Sequence, residues 1–137
     1  VTDLDALVGE WLPLPDVADR LRTDVGRVRR LLQEHKLLAV RRGERNILSV
    51  PAQFLTPVVG RGTDGDEAWE VVPSLQGTLV LLEDAGFSDE EAVAWLFTKD
   101  ASLESLGTGP DRPTTPIAAL AAGHKTEIRR RAQALAL

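Results

Sequence analysis

The chain has 137 residues, a formal net charge of −5, 43% apolar residues and no cysteine. That is room for one ordinary domain or two very small ones with a packed core, so disorder throughout is excluded. Missing thiols exclude disulfides, thiolate metal sites and a cysteine nucleophile, and two histidines, His35 and His124, are too few for most zinc sites, so no metal and no cofactor are expected.

The longest apolar runs, Leu79–Leu82 and Ile117–Ala122, fall far short of the roughly 20 residues that span a bilayer. The opening VTDLDALVGE lacks the basic start and apolar centre of a signal peptide, so a cytoplasmic protein with no membrane partner is expected. Charge is distributed in blocks. Residues 1–19 carry −5, 20–45 carry +6, 46–59 are uncharged, 60–111 carry −10 and 112–137 carry +4. An acidic total therefore conceals a bipolar molecule.

In chain order, Pro15 suits the first turn of a helix, where its missing N–H has no intrahelical partner. Val17, Ala18 and Leu21 then recur at helical spacing. After a break at Arg22-Thr23-Asp24, Asp24 is placed to cap a second helix. There Val25, Val28, Leu31, Leu32 and His35 form one apolar stripe, with Gly26, Arg30 and Gln33 opposite and Arg27, Arg29 and Glu34 on the flanks. On this reading His35 lies at the edge of the core. Two short helices joined by a tight turn make a helix-turn-helix, whose second helix fits a DNA major groove.

LLAVRRGERNILSV follows, two β-prone runs around the turn Gly43-Glu44-Arg45-Asn46, with Pro51 ending the second. This is read as a wing. Thr56 to Glu67, rich in Gly, Pro and acids, is read as a linker or long surface loop. The remainder is read as helical. One helix runs from about Leu75 to Asp84, closed by Gly86, and another follows the capping box of Ser88 and Glu91, burying Ala92, Val93, Trp95 and Leu96. A third starts at Thr115-Pro116 and ends at Gly123, and a last one from about Thr126 points Ile128, Ala132 and Leu135 inward. The expected fold is mainly α: a winged helix-turn-helix with a small two-stranded wing over residues 1–55, a connection at 56–67 and a small helical accessory or interaction domain over 68–137.

Nine of the sixteen positive charges lie between Arg20 and Arg45, and eight of those nine are Arg. Arginine suits bidentate contacts to phosphate and to guanine, and a concentrated basic face gains affinity for duplex DNA by releasing counterions. Arg30 and Gln33 are expected at base edges, and Arg27 at base or phosphate. Arg22, Arg29, Lys36, Arg41, Arg42 and Arg45 are expected at phosphate or in the minor groove. Gly26 has two readings, close approach of backbone to phosphate or tight packing in the turn. The expected function is that of a double-stranded DNA-binding protein and transcriptional regulator. The alternative is a protein-interaction module, antitoxin-like or an adaptor, whose basic face meets an acidic partner. Glu83 and Asp84 are accompanied by no nucleophile, phosphate loop or metal-ligand spacing, so an enzyme is not expected.

LPDVADRLRTDVGRVRRLLQEHKLLAVRRGERNILSVP resembles the excisionase/MerR-like winged helix-turn-helix pattern from Leu14 to about Leu55, with Arg22 where a turn Gly is common and Leu31 where an aromatic often sits. With LLEDAGFSDEEAVAWLF and RRRAQALAL, the arrangement is similar to mycobacterial winged-helix DNA-binding proteins known as Ser/Thr-kinase substrates. That resemblance implies a cytoplasmic bacterial DNA-binding protein and, as a partner, a Ser/Thr protein kinase. Thr2, beside Asp3 and Asp5, is the candidate phosphorylation site. WLFTKDASLESLG with PIAALAAGHKTEIRRRAQAL resembles the C-terminal region of Xre/MbcA/ParS antitoxins, which implies a protein partner or self-association through the C-terminal helices.

Overall fold

The computed structural model describes residues 4–58, 68–106 and 112–135. It opens on a short helix, α1 (Leu4–Val8), which the sequence pattern does not announce, and which buries Leu4 and Val8. Strand β1 (Trp11–Pro13) leads directly into α2 (Leu14–Leu21), with Pro15 in its first turn and Leu14, Val17 and Ala18 buried. Arg22 adopts the left-handed conformation at φ 56°, and the helix closes with Arg22 N–H on the Asp19 carbonyl and Thr23 N–H on that of Ala18. A side chain in that conformation costs roughly 1 kcal/mol or more relative to glycine.

The Asp24 carboxylate accepts from the Arg27 N–H at 2.8 Å and starts α3 (Val25–Gln33). Val28 is fully buried, while Val25, Leu31 and Leu32 are half-buried against the core. His35 corrects the expected stripe. It stands beyond the helix end at φ 59°, exposed, as the left-handed residue of a closing turn in which Lys36 N–H donates to the Leu31 carbonyl.

The wing is β2 (Val40–Arg42) and β3 (Ile47–Pro51), joined by the turn at Gly43 to Asn46 and paired antiparallel, Arg41 opposite Leu48. It is part of a larger sheet than expected, because β1 pairs with the other edge of β3, Trp11 opposite Pro51, giving the order β1-β3-β2. A second ladder joins β4 (Leu55–Pro57) to β5 (Trp69–Val71), Leu55 opposite Val71. The stretch read as a linker from Thr56 thus begins inside a strand, and the part read as helical opens with the strand Trp69–Val71 ahead of its first helix. Residues 59–67 of that stretch lie outside the described residues.

Four helices follow: α4 (Leu75–Asp84), α5 (Asp89–Phe97), α6 (Pro116–Ala121) and α7 (Lys125–Ala134), with a 3-10 turn at Ala101–Leu106 between α5 and α6. The α5 capping box is complete, Ser88 Oγ accepting from Glu91 N–H at 3.2 Å and Glu91 accepting from Ser88 N–H at 2.9 Å. Hydrogen bonding from the Ser88 backbone N–H first, and then from its side chain, holds the Glu91 carboxyl below its ordinary pKa. Thr115 Oγ1 caps α6, and Gly86 and Gly123 take positive φ at the ends of α4 and α6. Two expectations change here: Trp95 is only half-buried, and Leu135 is 39% exposed at the end of α7. The buried apolar side chains form one cluster from Leu4 to Ala132, and within it the rings of Phe54 and Phe97 meet at 5.8 Å between centroids.

Candidate nucleic-acid interface

α3 presents a graded face. At about 100° per residue, Gly26, Arg30 and Gln33 point away from buried Val28, Arg29 turns toward the wing and Arg27 toward the opposite flank. All five are exposed. Gly26 supports the reading of tight packing in the turn, since a Cβ there would lie 3.2 Å from the capping Asp24 Oδ1.

A cleft of about 570 Å³ separates this helix from the wing. Arg29 and Gln33 line it from α3, Arg41, Arg45 and Asn46 from the wing, and Pro13, Leu14 and Pro15 from the β1–α2 junction. Among the described residues no carboxylate lines it. Arg41 Nη1 also donates to the Asn46 carbonyl at 3.0 Å, which ties the strand to the far side of its own turn. Among the described residues, Arg27, Arg29, Arg30 and Arg45 make no ion pair.

Other expected contacts are elsewhere. Neighbouring residues of a strand face opposite sides of the sheet, so Arg42 turns away from Arg41 and toward α1. There it donates from Nε and Nη2 to Asp5 Oδ1 at 2.9 and 2.6 Å and stacks 5.2 Å over the Trp11 ring. Lys36 lies past the end of α3, 3.6 Å from Glu34. Arg22 sits in the turn between α2 and α3. Thr2 lies outside the described residues.

Sequence reasoning missed two partners that sort these arginines. Asp5 takes Arg42, and Glu10 approaches Arg20 at 3.5 Å while the Arg20 guanidinium lies 4.7 Å over Trp69. The available signal was the acidic block at residues 1–19 next to the basic block. The buried Trp11 Nε1 has no hydrogen-bond partner among the described residues. Among those residues no cluster of His, Asp or Glu is placed to hold a metal ion, and no helix is long and apolar enough to cross a membrane.

Comparisons with known proteins agree on one family. Residues 2–55 match the family described as "DNA-binding protein Rv2175c, wHTH domain", and residues 72–136 match "Rv2175c C-terminal domain of unknown function". The DNA-binding protein Rv2175c of Mycobacterium tuberculosis (strain ATCC 25618 / H37Rv) is 37% identical over 126 residues, which is 90% of this chain and 78% of that protein. The NMR structure of Rv2175c superposes with a TM-score of 0.72 at 36% identity, covering 93% of this chain and 82% of that one.

Proposed function

The chain belongs to the Rv2175c family of winged helix-turn-helix DNA-binding proteins, and on that premise we propose that it binds duplex DNA as a transcriptional regulator. In this reading α3 enters the major groove with Arg30 and Gln33 toward base edges, and Arg27 follows one phosphate strand. Arg29, Arg41 and Arg45 follow the other strand and the adjacent minor groove. The single observation that carries it is the cleft between α3 and the wing, lined among the described residues by three arginines and a glutamine with no acid.

Residues 1–55 form the DNA-binding part of this proposal, 56–67 the connection and 68–137 the accessory part. Arg42 is left out because Asp5 and Trp11 occupy it. The proposal places the protein in the bacterial cytoplasm and includes a Ser/Thr protein kinase acting at Thr2. Thr2 belongs to the acidic first block of the chain, beside Asp3 and Asp5, and a phosphate there would add to that block's negative charge.

The test is a gel shift on random duplex DNA across a salt series. With four to six phosphate contacts, the logarithm of affinity should fall with the logarithm of salt at a slope of about −4 to −5. Equal affinity in low and high salt overturns the proposal.

A further inference from the structure

Charge around α4 runs against the helix dipole at both ends. Its last turn carries Glu83 and Asp84 with no basic residue, where the carbonyls already present partial negative charge. Near its start, Ser74, Gln76 and Gly77 share a cleft of about 610 Å³ with Lys125 and Arg129 of α7, where the free N–H groups present partial positive charge. Both placements are unfavourable to the dipole of α4, and among the described residues neither is neutralised by an acid–base pair with Lys or Arg. Among the described residues Asp84, Asp89, Glu90, Lys125 and Arg129 make no ion pair, and Glu83 meets only His35, at 3.2 Å.

The floor of the cleft adds two further observations. Gly77 lies inside α4, where glycine is less favourable than alanine, yet a Cβ there would meet nothing within 4 Å. Folding of the single chain gives no reason for it. Val80, one turn on, is a large apolar residue left 37% exposed on the same wall. Open backbone, an apolar wall and a cationic rim together suit an acidic protein segment that approaches closely.

We infer that this cleft receives the acidic corner of a second copy of this chain, Asp84, Asp89 and Glu90 of one molecule facing Lys125 and Arg129 of the next. The two complementary surfaces lie at opposite ends of one helix, so the contact is head-to-tail and leaves a free surface at each end of the pair. Gly77 admits the incoming backbone. Nucleic acid is a poorer occupant, because the carboxylates at the other end of α4 repel phosphate. The contact itself does not need DNA; successive molecules bound side by side on a duplex would occupy it cooperatively, a corollary that rests on the proposed function.

Sedimentation velocity on the full chain tests the contact. At low ionic strength the average mass rises with protein concentration, and high salt returns it to the monomer value. Lys125→Glu with Arg129→Glu, and separately Asp84→Lys with Glu90→Lys, each remain monomeric, while an equimolar mixture of the two double variants associates again. Gly77→Gln fills the cleft without changing charge and suits a helix, so it weakens association about tenfold with the melting transition retained. A wild-type chain that stays monomeric at low ionic strength, or charge reversals that leave association unchanged, overturns the inference. Random-duplex binding by the same variants reads the DNA face separately, so either conclusion fails without the other.

Discussion

Arginine does two different jobs in α3 and in α7. In α7, Arg131 donates to Glu127 at 2.9 Å, to Asp100 at 3.0 Å and to Ser102 Oγ at 2.9 Å, while Arg130 grips Glu127 through two bonds. Arg131 fastens the start of the 3-10 turn to the last helix, and Arg130 braces Glu127 within that helix. On α3 and the wing tip, Arg27, Arg29, Arg30 and Arg45 make no ion pair among the described residues, and Arg29 and Arg45 line the cleft between helix and wing. Charge counts alone treat the two regions alike. What separates them is whether the acids that balance the charge lie within reach in the folded chain.

The sharpest way to break this contrast is to remove side chains from the α3 face. Arg30→Ala combined with Gln33→Ala should weaken duplex binding by about 1–3 kcal/mol, or roughly five- to 150-fold, and relax any base preference. Both residues are exposed, so the melting temperature should stay within the scatter of surface substitutions. Unchanged affinity would mean that α3 does not face DNA.

Arg42→Ala tests the arginine that adjoins this region but behaves like the α7 group. Losing its pair with Asp5 and its stacking on Trp11 should lower stability by about 1 kcal/mol, read by thermal or denaturant unfolding, with the salt slope of DNA binding unaltered. Arg45→Ala, in the same assay, should reduce that slope by about one.

The smallest effect concerns acid. Hydrogen bonds from Arg130 and then Arg131 hold the Glu127 carboxyl below its ordinary pKa, and those from the Ser102 hydroxyl and backbone, with Arg131, do the same for Asp100. A folded-state pKa below the unfolded one gives stability that is present above the unfolded value and lost as pH falls through the folded one. The melting temperature should therefore hold above about pH 5 and decline below it, and Glu127→Gln should flatten that decline. DNA binding at neutral pH should not distinguish Glu127→Gln from wild type.

Local signals were readable in the sequence because they act over three or four residues. The Asp24 cap, the Ser88 and Glu91 box, the Thr115 cap and the apolar face of α3 all follow from helical spacing and terminal N–H groups. β1, β4 and β5 were not readable, since three residues cannot display an alternation and their partners lie far along the chain, Pro51 for Trp11 and Val71 for Leu55. The same limit explains the wing arginines. Two adjacent arginines look equivalent in the sequence, and only strand pairing sends Arg41 to the cleft and Arg42 to α1. For His35, helical periodicity was extended two residues past the end of α3, onto the residue at which the backbone reverses hand.

The stacking of Arg20 on Trp69 joins α2 to the strand β5. Arg20 belongs to the helix that braces α3, and Trp69 to the strand that feeds the C-terminal helices, while the β4–β5 ladder runs alongside them. A load applied to the C-terminal helices, by a neighbour or a bound protein, would reach α2 through this stack and, through the packing of α2 on α3, the exposed arginine face.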